Sequence, residues 1–104
     1  MRDFFLYIDD IKDSAKRILE YTQDMSFEQF SENQMAIDAV IRNLEVIGEA
    51  VTHLPDNIQN QYPNVPWRSI KGMRNILVHE YWGVDLEILW ATIQESIPQL
   101  VKLL

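Results

Sequence analysis

The stretch "QMAIDAVIRNLEVIGEAVTHL", residues 34–54, carries two side-chain stripes at the spacing of an α-helix. Apolar residues recur every three or four positions, which is typical of a helix with one buried face: Ile37, Val40, Leu44, Ile47, Val51 and Leu54. A charged stripe runs beside them: Asp38, Arg42, Glu45 and Glu49. Because both stripes hold over the whole length, this stretch predicts one long amphipathic helix.

Capping signals mark where the first helices begin. Asp3 is a good N-cap for a first helix that extends to about residue 21. Two capping boxes follow, one formed by Ser26 with Gln29 and one by Ser31 with Gln34. The second box is predicted to open the long helix.

Two more helices are predicted after a connector rich in Pro, Asn and Asp. The third begins near Pro66, a favourable first-turn residue, and ends at Gly83. Asp85 then caps a fourth helix with the clearest apolar stripe in the chain. Pro98 lacks a backbone N–H, so we expect this helix to kink or restart near Ser96.

Length and composition suit a single compact domain. The chain has 104 residues and 47% hydrophobic content, enough for one core but not two, so one domain is predicted over residues 1–104. Helices joined mostly by short links predict an all-α fold, an antiparallel four-helix up-down bundle. The aromatic content of 11% and the broad apolar arcs indicate dimerisation through part of this surface. The alternative is a monomer with a few exposed hydrophobic residues.

Residue usage also bears on compartment and metal binding. Cysteine is absent, so disulfides and thiolate metal sites are unavailable, and a cytoplasmic location is expected. No uncharged run is long enough for a membrane span, so no membrane association is expected. His53 with Glu49 lacks the ligand spacing of known zinc sites, so no metal is predicted.

The net charge of −7 opposes general nucleic-acid binding, but it is unevenly distributed. Between Asp56 and Glu80 there is no acidic residue, whereas Arg68, Lys71 and Arg74 all lie there. This window is therefore the surface that we expect to attract phosphate.

Arg74 conflicts with the pattern of the third helix. At about 100° per residue, it falls inside the apolar arc that faces the core. An arginine there must be paired or must line a polar cleft to offset its desolvation. One interpretation is an ion pair with Glu45 or Glu49 of the long helix, and the other is bidentate recognition of phosphate. Periodicity does not choose between them.

A polar stripe on the same helix contains Arg68, Asn75 and His79, with Lys71 at its edge. His79 could both accept and donate a proton, and Asn75 could orient a substrate oxygen, although each could also be simply solvated. His79 lies roughly 140° from Arg74 around the helix axis. A site that uses both residues therefore needs a frayed helix end or a second subunit.

These residues complete a motif: Arg74, Asn75, three apolar residues, His79 and Tyr81 read Arg-x4-His-x-Tyr. Together with "PWRSIKGM" before the motif and "NLEVIGEAV" in the long helix, the chain resembles the HepT-like toxins of the HEPN superfamily. The resemblance implies a dimer with a composite cleft and metal-independent endoribonuclease activity through attack of the RNA 2′-hydroxyl. It implies that His79 acts as acid or base, that Arg74 stabilises the developing charge and that Asn75 orients the reacting groups.

The resemblance also implies regulation by a partner. Such proteins resemble the toxin of a type VII-like toxin–antitoxin module, whose antitoxin is an MntA-like minimal nucleotidyltransferase. That partner would use ATP and Mg²⁺ to transfer AMP to Tyr81, and the toxin itself would need no cofactor. Arg68 and Lys71 would contribute to RNA binding. Two alternatives stay open: a non-catalytic helical module that docks a nucleotidyltransferase, and a helical oligomer in which Arg74 is only an internal ion pair.

Overall fold

The computed structural model describes residues 3–80 and 83–104, without the side chains of residues 78–80. Within these ranges the chain forms helices and loops and no strand. The elements are α1 (Phe4–Thr22), α2 (Phe27–Ser31), α3 (Gln34–Thr52), α4 (Asp56–Gln59), α5 (Trp67–Glu80), α6 (Leu86–Ala91), a π-helical segment (Thr92–Ser96) and α7 (Ile97–Leu103). The predicted all-α fold is confirmed, with α2 and α4 as short additions to four principal helices.

Helix α3 lies at the centre of the packing. It contacts α1, α2 and α5, while α7 packs against α1. Its predicted apolar stripe is buried at every position. The largest fully buried side chains come from several helices and form one core: Ile11, Ile18, Phe30, Leu44, Ile47 and Ile93. In the two described ranges, no helix combines the length and apolar character needed to cross a bilayer.

One predicted capping box is present and the other is wrong. Ser26 and Gln29 form the reciprocal box at the start of α2. Helix α3 is capped instead by Asn33, whose Oδ1 accepts the N–H of Ala36 at 3.0 Å. Ser31 cannot cap α3 because it still lies within α2, and only at Asn33 does the backbone become extended, as an N-cap requires.

The last helix is interrupted where Pro98 predicted a change. Asp85 caps α6 by accepting the N–H groups of Glu87 and Ile88. The π-helical segment then precedes α7, in which Pro98 occupies the second position. The missing N–H of the proline and the bulk of its ring are accommodated by this local widening of the helix. Residues 81 and 82, directly before Gly83, lie outside the described part, so the end of the third helix at Gly83 stays a prediction.

Candidate active site

Arg74 lies where α5 packs against α3. Its neighbours Ile70 and Leu77 on the inner face of α5 are buried, and its own side chain is 31% exposed. Nη2 of Arg74 donates to Oε2 of Glu49 at 2.8 Å. Of the two predicted ion-pair partners, the structure therefore selects Glu49, whose side chain is 56% exposed. The pair is only partly desolvated, so Arg74 keeps access to solvent and to a ligand.

Glu49 also contacts the histidine that caps the C-terminal end of α3, one helical turn further along the chain. Its Oε1 lies 3.3 Å from Nε2 of His53. The His53 ring stacks on Tyr7 of α1, with ring centroids 4.8 Å apart and the planes inclined by 10°. These contacts connect α5, α3 and α1 through Arg74, Glu49, His53 and Tyr7. Nothing in the sequence pattern indicates the part played by Tyr7, because it depends on how α1 packs against α3.

An open groove of about 510 Å³ runs beside this series of contacts. Its lining is polar and carries both signs of charge: Tyr7, Asp10, Arg42, Glu45, Val46, Glu49, Ala50, His53 and Arg74. Two arginines oppose three carboxylates, which gives a formal charge of −1 when the histidine is neutral. The groove is therefore not a general anion site, and Arg74 would act there as a fixed local cation.

The other predicted site residues lie elsewhere or outside the described part. In the described part of the chain, α5 exposes Arg68, Lys71 and Asn75 to solvent. Unlike Arg74, these three residues do not line the groove. His79 belongs to α5, but its side chain lies outside the described part, as does Tyr81 altogether. Because α5 is helical as far as Glu80, positions 74 and 79 remain roughly 140° apart around its axis. The structure thus gives no support to a frayed end that would bring them together within one chain.

A second groove, of about 580 Å³, lies between α5 and α6 and is mainly apolar. Met73, Leu77 and Leu89 contribute to its walls. Ile76 and Ile88 line it as well and are 55% and 67% exposed. Large exposed aliphatic side chains that line one groove are typical of a surface that another protein covers.

Sequence comparison identifies the family. Residues 11–104 match the family described as ribonuclease HepT-like. A protein of Thermococcus cleftensis named as a probable ribonuclease HepT is 42% identical over 94 residues, covering 90% of this chain and 86% of that protein. A protein of Methanocaldococcus jannaschii named as a candidate RNase is 41% identical over 101 residues, covering 97% of this chain and 93% of that protein.

No solved structure matches the chain at a significant level of similarity. The family match nevertheless covers nearly all of the sequence, and both relatives are aligned over most of their own length. The resemblance drawn from the Arg-x4-His-x-Tyr motif is confirmed at the level of the family. The chain belongs to the HepT-like ribonuclease family.

Proposed function

We propose that this chain is a metal-independent endoribonuclease that acts as a dimer on single-stranded or looped RNA. The observation that carries this proposal is the position of Arg74, whose guanidinium is held by Glu49 on the wall of an open polar groove. A cation fixed before substrate arrives needs little reorganisation when charge develops on a phosphate. Family membership supplies the class of reaction.

The proposed chemistry uses only side chains of the dimer. One His79 takes the proton from a ribose 2′-hydroxyl, whose oxygen then attacks the adjacent phosphorus. The bond from phosphorus to the 5′-oxygen breaks, and the same His79 ring, now protonated, donates its proton to that leaving oxygen. Arg74 stabilises the negative charge on the phosphorane, and Asn75 orients the reacting groups. The products are a 2′,3′-cyclic phosphate and a free 5′-hydroxyl.

A second copy of the chain is needed because positions 74 and 79 diverge around α5. A two-fold axis can bring Arg74 of one protomer towards His79 of the other. The exposed Ile76 of α5 and Ile88 of α6 support burial of this side of α5 in a dimer. Arg68 and Lys71, exposed on the same helix, would hold the RNA backbone on either side of the cleft.

We further propose that the protein is a cytoplasmic toxin that a nucleotidyltransferase antitoxin of the MntA-like type silences. The partner would use ATP and Mg²⁺ to adenylylate Tyr81, two residues beyond His79. The added group is bulky and anionic, so it would repel the phosphate of the substrate. A second candidate function is a non-catalytic module that docks such a partner. The apolar groove with exposed Ile76 and Ile88 fits this second candidate, because such a surface is typical of one that another protein covers.

Cleavage of RNA by purified protein in the presence of EDTA tests the two functions against each other. We expect cleavage by the parent and loss of cleavage and growth inhibition in Arg74→Ala and His79→Ala, with the dimer still folded. Arg17→Ala is the matched control, because it removes an exposed positive charge from α1, away from both grooves. Parental cleavage by either site variant would refute the catalytic assignment. Intact RNA together with tight binding of the nucleotidyltransferase would favour the docking module.

A further inference from the structure

We infer that Gly48 is a positioning residue for Arg74, an inference that rests on the proposed ribonuclease site. Gly48 is buried in the interior of α3, directly before Glu49. A methyl group at this position would collide with Cβ of Arg74 and would lie 2.5 Å from its Cγ and 3.2 Å from its Cδ. Carbon atoms that are not bonded to each other pack at roughly 3.5–4.0 Å, so the two helices can be this close only without that methyl group.

Close approach is the reason that the structure offers for glycine here. Glycine in a helix interior is less favourable than alanine, since it loses more backbone freedom on folding. No positive φ requires it, because no residue in the described part of the chain has one. Gly72 of α5 provides the contrast, since a methyl group there would meet none of the described atoms within 4 Å.

Helix α3 therefore fixes Arg74 at two points. The stem of the side chain lies against the bare backbone of Gly48, and Nη2 at its end is bonded to Glu49. The colliding atom, Cβ of Arg74, is attached directly to the backbone of α5, so rotation of the side chain cannot remove the collision. In Gly48→Ala the helix itself must shift near Arg74, which displaces the guanidinium from Glu49 and from the groove wall.

Displacement of the guanidinium should appear in turnover more than in substrate binding. A misplacement of about 1 Å near reacting groups can cost up to about 100-fold in rate. We expect Gly48→Ala to lower kcat for RNA cleavage by roughly 10–100-fold while KM changes much less, because the exposed Arg68 and Lys71 are untouched. Arg17→Ala, on α1 and away from both grooves, is the control and should retain the parental kcat.

A spectroscopic measurement tests the same inference without activity. In ¹⁵N-labelled dimer, the guanidinium signals of Arg74 are assigned by their absence in Arg74→Lys, and Glu49→Gln shows how they appear without the ion pair. We expect Gly48→Ala to move the signals of Arg74 towards those of Glu49→Gln, and Gly72→Ala to leave them unchanged. Parental signals in a folded Gly48→Ala dimer, or displaced signals with unchanged kcat, would overturn the inference.

Two further results keep the test decisive. If Gly48→Ala does not fold, the double variant Gly48→Ala with Arg74→Gly removes the opposing stem. A melting temperature that returns to that of the Arg74→Gly single variant would support the contact, and unfolding of the double variant while Arg74→Gly alone folds would overturn it. If the parent cleaves no RNA, the proposed function fails, whereas the guanidinium signals still report whether Gly48 positions Arg74.

Discussion

Replacement of Arg74 by methionine separates the structural role of this residue from its proposed chemical role. Methionine keeps a flexible stem of similar length against α3 but removes the charge and the hydrogen bond to Glu49. The substitution therefore tests whether the arginine is kept for its ion pair or for its action on a phosphate.

The structure indicates a small effect on stability. The pair is formed at 2.8 Å, but its side chains are 31% and 56% exposed, so solvent screens much of the attraction. Ion pairs in such settings contribute roughly 0.2–1 kcal/mol. Glu49 can be solvated once it is alone, so little extra penalty arises from leaving it unpaired. We therefore expect Arg74→Met to lower the free energy of unfolding by less than about 1 kcal/mol.

The expected effect on catalysis is larger. Loss of one preorganised donor to the developing charge typically lowers kcat by about 100–1,000-fold, or roughly 3–4 kcal/mol of transition-state stabilisation. The assays are urea unfolding followed by circular dichroism at a fixed protomer concentration, and single-turnover RNA cleavage well below the melting temperature. Arg17→Met controls for the loss of a positive charge.

Two results would refute this reasoning. If Arg74→Met cleaved RNA within a few-fold of the parental rate, the arginine would be only an internal ion pair. If the variant lost more than about 2 kcal/mol of stability, the solvent screening argued from the exposed fractions would be wrong. The combination of a small stability change and a large rate change is what the proposed site requires.

Three other substitutions give independent checks. Ser14→Ala should raise the free energy of unfolding by about 1 kcal/mol, because Oγ of this buried residue has no hydrogen-bond partner in the described structure, and thermal melting should show the gain. Asn33→Ala should lower it by about 1 kcal/mol through loss of the N-cap of α3, and an unchanged midpoint in urea would contradict this assignment. Tyr81→Phe should prevent the mass increase of one adenylyl group that we expect after co-expression with the nucleotidyltransferase. Modification that persists at another residue would disprove the choice of Tyr81.

Much of the helical framework follows from local pattern. The buried stripe of α3, the caps at Asp3 and Asp85 and the interruption before Pro98 are all confirmed, since each depends on residues close together in sequence. The start of α3 was predicted at the wrong capping residue, Ser31. Two good caps lie two residues apart there, and the extent of α2 decides between them.

The candidate site was predictable only in part. The place of Arg74 on an apolar arc indicated that it must be paired or face a cleft, and the structure shows both an ion pair and a groove. Pattern could not select Glu49 over Glu45, because both lie on the same stripe of α3, one turn apart. The stacking of Tyr7 on His53 depends on how two helices that are far apart in sequence pack together. The periodicity of a single helix does not predict such packing.

The central claim is that Arg74 and His79 act together across the interface of two protomers. Equal amounts of Arg74→Ala and His79→Ala protein, each inactive alone, are mixed under conditions that allow subunit exchange, and RNA cleavage is measured in EDTA. Each mixed dimer contains one intact arginine and one intact histidine on opposite protomers, so the account predicts that cleavage returns. Mixed dimers that form, as shown by native mass spectrometry, but leave RNA uncut would contradict it.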